Sequence, residues 1–203
     1  MLKHKLKRGA TWILQFVFQN PIVTGFKLIY ELGKTPRFGF LGDGTRVKQP
    51  FSCSRPGKIK IGNGCTIGQG SNFGILGNGN IILGDHVIIT ARCQIFSIEK
   101  VHISDHVLIA SNVFICDCAH GYKDGNIPYN LQPLDSIGAI SIGRGSWIGQ
   151  NVIILPGVTI GEQCIIGANS VVRSSIPDRS IAVGAPAAVV KKWDDASKKW
   201  ISA

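Results

Sequence analysis

IGRGSW IGQNVI ILPGVT IGEQCI IGANSV V, residues 142–172, repeats a pattern of six residues five times and begins a sixth copy. An isoleucine opens each complete unit, and glycine follows it in four of the five. The fifth place of each unit carries a small or branched residue: Ser146, Val152, Val158, Cys164 and Ser170. Upstream units of the same kind begin at residues 61, 67, 83, 89, 103, 109 and 115. A period this regular is typical of a repeat architecture.

A unit of six residues is long enough for one short strand and one corner. Three such units make a triangular coil, and coils stack through parallel strand pairing, with the first residue of each unit pointing inward. The pattern therefore predicts an all-β protein, a parallel β-helix over residues 41–190. Spacing alone does not give the hand of this helix. The general rule for parallel crossovers would favour the right-handed form. The pattern stops over residues 121–139, which predicts a loop that protrudes from the helix.

Composition and charge narrow the possible partners. The chain has 203 residues and a formal net charge of +10, which first suggests nucleic acid. The excess lies within the first sixty residues, whereas residues 61–190 carry six basic and eight acidic side chains. The repeat region contains no stripe of basic residues with interleaved aromatic residues, so nucleic acid is not an expected partner.

The N-terminal residues, 1–40, are predicted to form a basic, amphipathic and partly helical arm. Four basic residues within positions 3–8 precede an apolar run over 10–18, which is too short to cross a bilayer. Such an arm suits peripheral contact with the cytoplasmic face of the inner membrane, or packing on its own oligomer. The sequence leaves both open. Residues 191–203 are predicted to be a C-terminal tail.

The six cysteines favour structural roles and a reducing cytoplasm. Cys65, Cys93 and Cys164 occupy the fifth place of their units, where a small apolar side chain is needed. Cys116 and Cys118 flank Asp117, but no second pair with zinc spacing exists, so no metal is expected.

His120 stands apart from the other histidines. It closes the unit over 115–120, and the protruding loop follows at once. That loop carries aromatic, acidic and amide groups, and long loops in compact domains are often binding loops. A neutral imidazole can accept a proton near neutral pH, which makes His120 a candidate general base.

Three stretches resemble the hexapeptide-repeat acyltransferases, and most closely the O-antigen and capsular polysaccharide O-acetyltransferases. They are DCAHGY at 117–122, the repeats from 142 onwards, and VGAPAAVVKK at 183–192. The resemblance covers about residues 59–190. It implies a left-handed β-helix, a homotrimer, and acetyl-CoA as the co-substrate.

The resemblance also implies roles for individual residues. His120 would be the catalytic base for acetyl transfer to a sugar hydroxyl, with no covalent acyl-enzyme. Asp117 would orient the imidazole or hold an acceptor hydroxyl. The acceptor-binding residues would be Asp117, Tyr122, Lys123, Asp124, Arg92 and Trp147. The cofactor-binding residues would be Gly149, Gln150, Gly167, Ala168, Arg173 and Lys191.

Two departures from the disaccharide acetyltransferases point to a different acceptor. Arg92 stands where those enzymes have an asparagine, and Arg173-Ser174 replaces their Thr-Lys. A surface polysaccharide (O-antigen, capsule or exopolysaccharide) or its precursor is therefore the expected acceptor. The sugar, the hydroxyl and the acyl group stay open.

Two other functions occur on the same repeat. An N-acetyltransferase of an amino sugar, or a xenobiotic acetyltransferase, would differ only in its acceptor. The trimeric carbonic anhydrases need three zinc-binding histidines, and His102 and His106 lack a third partner at a matching spacing.

Overall fold

Three parallel β-sheets form the sides of a triangular prism in the computed structural model, which describes residues 37–136 and 138–203. Face A contains β1 (Phe40–Leu41), β4 (Ile59–Ile61), β7 (Ile81–Leu83), β10 (Val101–Ile103), β15 (Ile140–Ile142) and β18 (Thr159–Ile160). Face B contains β2 (Arg46–Val47), β5 (Thr66–Ile67), β8 (Ile88–Ile89), β11 (Leu108–Ile109), β16 (Trp147–Ile148) and β19 (Ile165–Ile166). Face C contains β3 (Ser52–Cys53), β6 (Asn72–Ile75), β9 (Gln94–Ser97), β12 (Phe114–Cys116), β17 (Ile153–Ile154) and β20 (Val171–Val172). The chain visits the faces in the order A, B, C, so the described residues contain six complete coils.

The core is a set of stacked aliphatic columns, one on each face. On face B, Ile89 pairs with Ile109, which pairs with Ile148, which pairs with Ile166. All four side chains are completely buried. The first residue of the six-residue unit therefore points inward as predicted, and the parallel β-helix is confirmed.

The fifth-place cysteines are core residues, as expected. Cys65, Cys93 and Cys164 are buried, and each thiol donates to a carbonyl oxygen of the next coil. Burial raises the pKa of all three thiols. They therefore stay protonated and act as small apolar side chains.

Glycine in the second place of the unit permits close contact between coils. A Cβ at Gly68 would overlap the carbonyl oxygen of Thr90, and a Cβ at Gly149 would lie 2.7 Å from both Ala168 N and Ile166 O. Any side chain at these two positions would push the neighbouring coils apart.

The edge between faces B and C, here the BC edge, carries a ladder of polar side chains. Arg92, Asn112, Asn151 and Asn169 all have positive φ at successive corners. Arg92 Nε donates to Asn112 Oδ1 at 2.8 Å. Asn112 Nδ2 then donates to Asn151 Oδ1 at 3.0 Å, and Asn151 Nδ2 donates to Asn169 Oδ1 at 2.9 Å. Asparagine tolerates this conformation better than most residues, and the ladder ties four coils together.

An inserted hairpin leaves the edge between faces C and A, here the CA edge. After β12 the chain forms β13 (Cys118–His120), which pairs antiparallel with β14 (Leu134–Ser136). A short 3-10 helix, Tyr129–Leu131, lies in the connecting loop. The protruding segment therefore has regular structure of its own, which its sequence did not indicate because neither strand exceeds three residues.

The C-terminal residues extend face B. Strand β21 (Ser180–Gly184) runs parallel to β19, and β22 (Ala187–Asp194) and β23 (Lys199–Ser202) follow it antiparallel. Within the predicted tail of 191–203, residues 191–202 lie in β22, β23 and the turn between them. Residues 38–203 form one compact unit.

One prediction concerns the beginning of the chain. The amphipathic arm, 1–40, lies almost entirely outside the described residues. Within those residues the two short 3-10 helices are Pro56–Lys58 and Tyr129–Leu131, and no helix has the length and apolarity needed to span a membrane.

Candidate active site

His120 is the last residue of β13 and its side chain is exposed on the CA edge. Its backbone is opposite Leu134 in the hairpin, and Gly121 N donates to Pro133 O at 2.8 Å just beyond it. The strand pairing therefore fixes the backbone on both sides of the imidazole while the ring faces solvent. An exposed ring is accessible to an incoming hydroxyl, as a general base must be.

Asp117 is completely buried and does not face solvent. Its carboxylate accepts four hydrogen bonds: from Ser97 Oγ at 2.8 Å and from the backbone N–H groups of Ile98, Glu99 and Lys100 at 2.7, 3.0 and 2.7 Å. Hydrogen bonds to a charged acceptor are stronger than neutral ones. Asp117 thus secures the CA corner of the preceding coil. The predicted contact with an acceptor hydroxyl does not fit this geometry.

The residues that follow His120 in the hairpin form a cavity of about 280 Å³, and Gly121 lines it while His120 does not. Two predicted acceptor residues, Lys123 and Asp124, line it, and Lys123 Nζ forms an ion pair with Asp135 Oδ2 at 3.2 Å. Tyr122 is 68% exposed beside them. A cavity with both charges and amides at its wall suits a polyhydroxylated ligand.

Two lining residues were missed at the sequence level. Gln132 donates from Nε2 to the carbonyl oxygens of Asp124 and Ile127, both at 2.8 Å, and so holds the loop closed. Asp135 supplies the carboxylate for Lys123. Their polar character was visible in the sequence, but the pairing of β13 with β14 that brings them to the cavity was not.

The remaining predicted acceptor residues lie elsewhere in the same subunit. Arg92 occupies the BC edge, where it bonds to Asn112. Trp147 is 49% exposed on the outside of face B, in register with the exposed Leu108 and Ile88. Because His120 lies on the CA edge, the width of face C separates Arg92 from it.

Five of the six predicted cofactor residues lie on two edges of the prism. Gly149, Gln150, Gly167 and Ala168 follow face B strands and lie on the BC edge. Coil packing accounts for both glycines, since a Cβ at Gly167 would lie 2.7 Å from Val183 Cγ1.

Arg173 lies on the CA edge, the edge that carries His120. It lines a cavity of about 360 Å³ together with Val171, Ala185 and Pro186. Lys191 lies in β22 opposite Ile181, beyond the face B strands. Of the predicted cofactor residues, Arg173 is therefore the one placed on the same edge as the candidate base.

The other three described histidines lie at corners or on face A. His86 and His106 stack at corners of adjacent coils, with ring centroids 5.0 Å apart. His102 lies on face A, where partial burial and, secondarily, Lys100 lower its pKa. Across 37–136 and 138–203, no three metal-ligating side chains come together.

Comparison with known proteins agrees with the fold and the motifs. The bacterial transferase hexapeptide (six repeats) family matches residues 139–174. A protein of Escherichia coli (strain K12) named as a lipopolysaccharide biosynthesis O-acetyl transferase, WbbJ, is 38% identical over 161 residues, 76% of this chain and 82% of its own. The galactoside O-acetyltransferase of the same organism is 31% identical, with 98% and 84% covered.

Solved structures agree as well. AntD, an N-acyltransferase from Bacillus cereus in complex with dTDP and 3-hydroxybutyryl-CoA, aligns with a TM-score of 0.70 at 25% identity over 83% of this chain and 89% of that chain. A hexapeptide-repeat acetyltransferase from Vibrio cholerae complexed with acetyl-CoA aligns at 0.60 and 26% identity over 95% and 89%. The chain therefore belongs to the hexapeptide-repeat acyltransferases and is an enzyme of acyl transfer.

Proposed function

We propose that the protein transfers the acetyl group of acetyl-CoA to a hydroxyl of a sugar in a surface polysaccharide or its precursor, with His120 as general base. The observation that carries the proposal is the exposed imidazole at the end of β13, one residue before Gly121, which lines the cavity of the inserted hairpin. The names of two relatives, a lipopolysaccharide and a galactoside O-acetyltransferase, support a sugar acceptor.

The chemistry requires one base and no covalent enzyme intermediate. Neutral His120 accepts the proton of the acceptor hydroxyl as its oxygen attacks the thioester carbonyl. The tetrahedral intermediate then collapses, the C–S bond breaks, and the imidazolium returns the proton to the departing CoA sulfur. Backbone N–H groups at a coil corner would stabilise the oxyanion.

The CA edge offers a route for the co-substrate. Arg173 lies two coils beyond the coil that carries the hairpin, a separation of about 10 Å at the usual strand spacing. A donor with its thioester at His120 would run along this edge in the direction of the guanidinium. The acetyl-CoA complex of the Vibrio cholerae enzyme supports this choice of donor.

A homotrimer would bring together candidate site residues that lie on different edges of one subunit. His120 and Arg173 lie on the CA edge, whereas Gly149 and Gln150 lie on the BC edge. In a closed three-fold ring, the BC edge of one subunit can face the CA edge of the next. Ile88, Leu108 and Trp147 are exposed apolar side chains in register on face B, and they support burial of this face against a second copy of the chain. Light scattering on the purified protein gives the oligomeric mass.

We also propose a cytoplasmic location, with the arm at the membrane surface or on the trimer. Acetyl-CoA is a cytoplasmic metabolite, and the four basic residues within 3–8 favour anionic lipid. Flotation with anionic and neutral vesicles distinguishes the two roles of the arm. Binding to anionic but not to neutral vesicles supports a role at the membrane surface.

The acceptor is tested directly with a substrate panel. Purified protein and acetyl-CoA are incubated with oligosaccharides, monosaccharides, amino sugars and arylamines, and thiol release and product mass are measured. Acetyl esters on a sugar support the proposal. Amide products formed only with amino sugars or arylamines contradict it.

N-acylation of an amino sugar is the second candidate, because AntD is an N-acyltransferase. A neutral amine is a better nucleophile than a hydroxyl and needs less assistance from a base. An N-acyltransferase should therefore follow the ionisation of the acceptor amine in its pH profile, whereas an O-acetyltransferase should follow the base.

A further inference from the structure

Two cysteines at the base of the hairpin have their sulfur atoms in contact. Cys116 Sγ lies 3.4 Å from Cys118 Sγ and 3.2 Å from Cys118 O. The two residues flank the bend at Asp117, where β12 ends and β13 begins. The fifth-place cysteines differ, since their thiols donate to carbonyl oxygens of neighbouring coils.

The accessibility of the two thiols is unequal. Cys116 is half-buried, whereas Cys118 is buried. Burial, and then the contact with Cys116, raise the pKa of the Cys118 thiol to about 12. A thiol of this kind is a poor first nucleophile, so a soluble oxidant meets Cys116 first.

We propose that Cys116 and Cys118 form a redox modification site, which a peroxide converts to an intramolecular disulfide. Cys116 attacks hydrogen peroxide, giving a sulfenic acid and one water. The Cys118 sulfur then attacks the sulfenyl sulfur, forming the S–S bond and releasing a second water. In total, two thiols and one hydrogen peroxide give one disulfide and two waters, and a dithiol reductant reverses the step.

The disulfide would act on the hairpin through Asp117. Bond formation shortens the sulfur separation to about 2.05 Å. Four hydrogen bonds hold the Asp117 carboxylate to the preceding coil, so the bend cannot follow this contraction freely. We expect the start of β13 to shift, and His120 lies two residues further along that strand. Any loss of activity on oxidation rests on the proposed role of His120, whereas the disulfide itself does not.

Peptide mass measurement tests the modification without reference to activity. Cleavage after Lys100 and Lys123 yields a peptide, 101–123, whose only cysteines are Cys116 and Cys118. After hydrogen peroxide treatment of the folded protein, this peptide should lose two hydrogen atoms and resist alkylation until a dithiol is added. Cys116→Ser and Cys118→Ala should each abolish the change, while Cys53→Ser, at the half-buried cysteine of β3, should retain it.

Two results would overturn the proposal. The first is stepwise addition of oxygen to Cys116 while Cys118 can still be alkylated. The second is an unmodified 101–123 peptide at peroxide concentrations that already oxidise exposed side chains elsewhere in the protein. Amide hydrogen exchange over 118–136 provides the conformational readout. Exchange should rise on disulfide formation and return on reduction, and unchanged exchange in the oxidised protein would contradict the coupling to the hairpin.

Discussion

Ser97 Oγ donates a hydrogen bond of 2.8 Å to Asp117 Oδ2, and both side chains are completely buried. The bond joins the last residue of β9 to the residue that precedes β13. Three backbone N–H groups complete the set around the carboxylate. The hairpin that presents His120 is thus attached to the prism through a buried anion.

Replacing that anion should destabilise the fold. Asp117→Asn puts an amide NH₂ where backbone donors converge, leaving N–H groups without an acceptor. We expect the free energy of unfolding to fall by about 3 kcal/mol. Urea denaturation measures it, with Asp124→Asn on the exposed loop as the control. Equal stability of the two variants would refute the structural role of Asp117.

Lys123 should affect substrate binding more than stability. Its ion pair with Asp135 is solvent-exposed, so Lys123→Met should change the free energy of unfolding by less than about 1 kcal/mol. Since the side chain lines the hairpin cavity, KM for the acceptor should rise while kcat is retained. Steady-state kinetics with Lys60→Met, on face A, as the control would expose a general charge effect.

Arg173 should contribute to binding of the donor. Removing one guanidinium–phosphate contact with Arg173→Met should raise KM for acetyl-CoA by about tenfold, the equivalent of roughly 1.4 kcal/mol. High salt should reduce the difference between wild type and variant. Arg144→Met, at an exposed corner between faces A and B, is the matched control. If both variants behave alike, the assignment of Arg173 fails.

His102 gives a prediction for the pH dependence of stability. Burial, with Lys100 as a second cause, lowers its pKa, while Asp105 opposes the shift. The unfolded chain then binds the proton more readily than the folded one, so stability falls as pH drops from about 7 to about 5. His102→Gln should flatten that part of the profile. A variant profile parallel to that of wild type would be inconsistent with this cause.

Much of the prism could be predicted because the six-residue period along the chain decides which side chains point inward. An inward residue every six positions predicts Ile109, Ile148 and Ile166 as core, and the fifth place predicts Cys164 there. These positions depend only on the period of the chain. His120 stood out because the six-residue period stops beside it, although the structure places it within the inserted hairpin, whose first strand begins at Cys118.

The parts that the sequence did not predict depend on contacts between distant segments. The bonds of Asp117 to residues 97–100 join successive coils, and nothing in the spacing marks a carboxylate as a buried acceptor. Strands β13 and β14 are three residues each, too short to show alternation. The antiparallel extension β22–β23 abandons the six-residue period altogether.

The most direct test of the account is kcat of the His120→Asn enzyme at saturating acetyl-CoA and sugar acceptor. The control is His86→Asn, because His86 is an exposed corner histidine whose positive φ an asparagine accepts. Loss of the base should lower kcat by at least about 100-fold in His120→Asn and leave His86→Asn unaffected. A kcat of folded His120→Asn equal to that of wild type would contradict the mechanism.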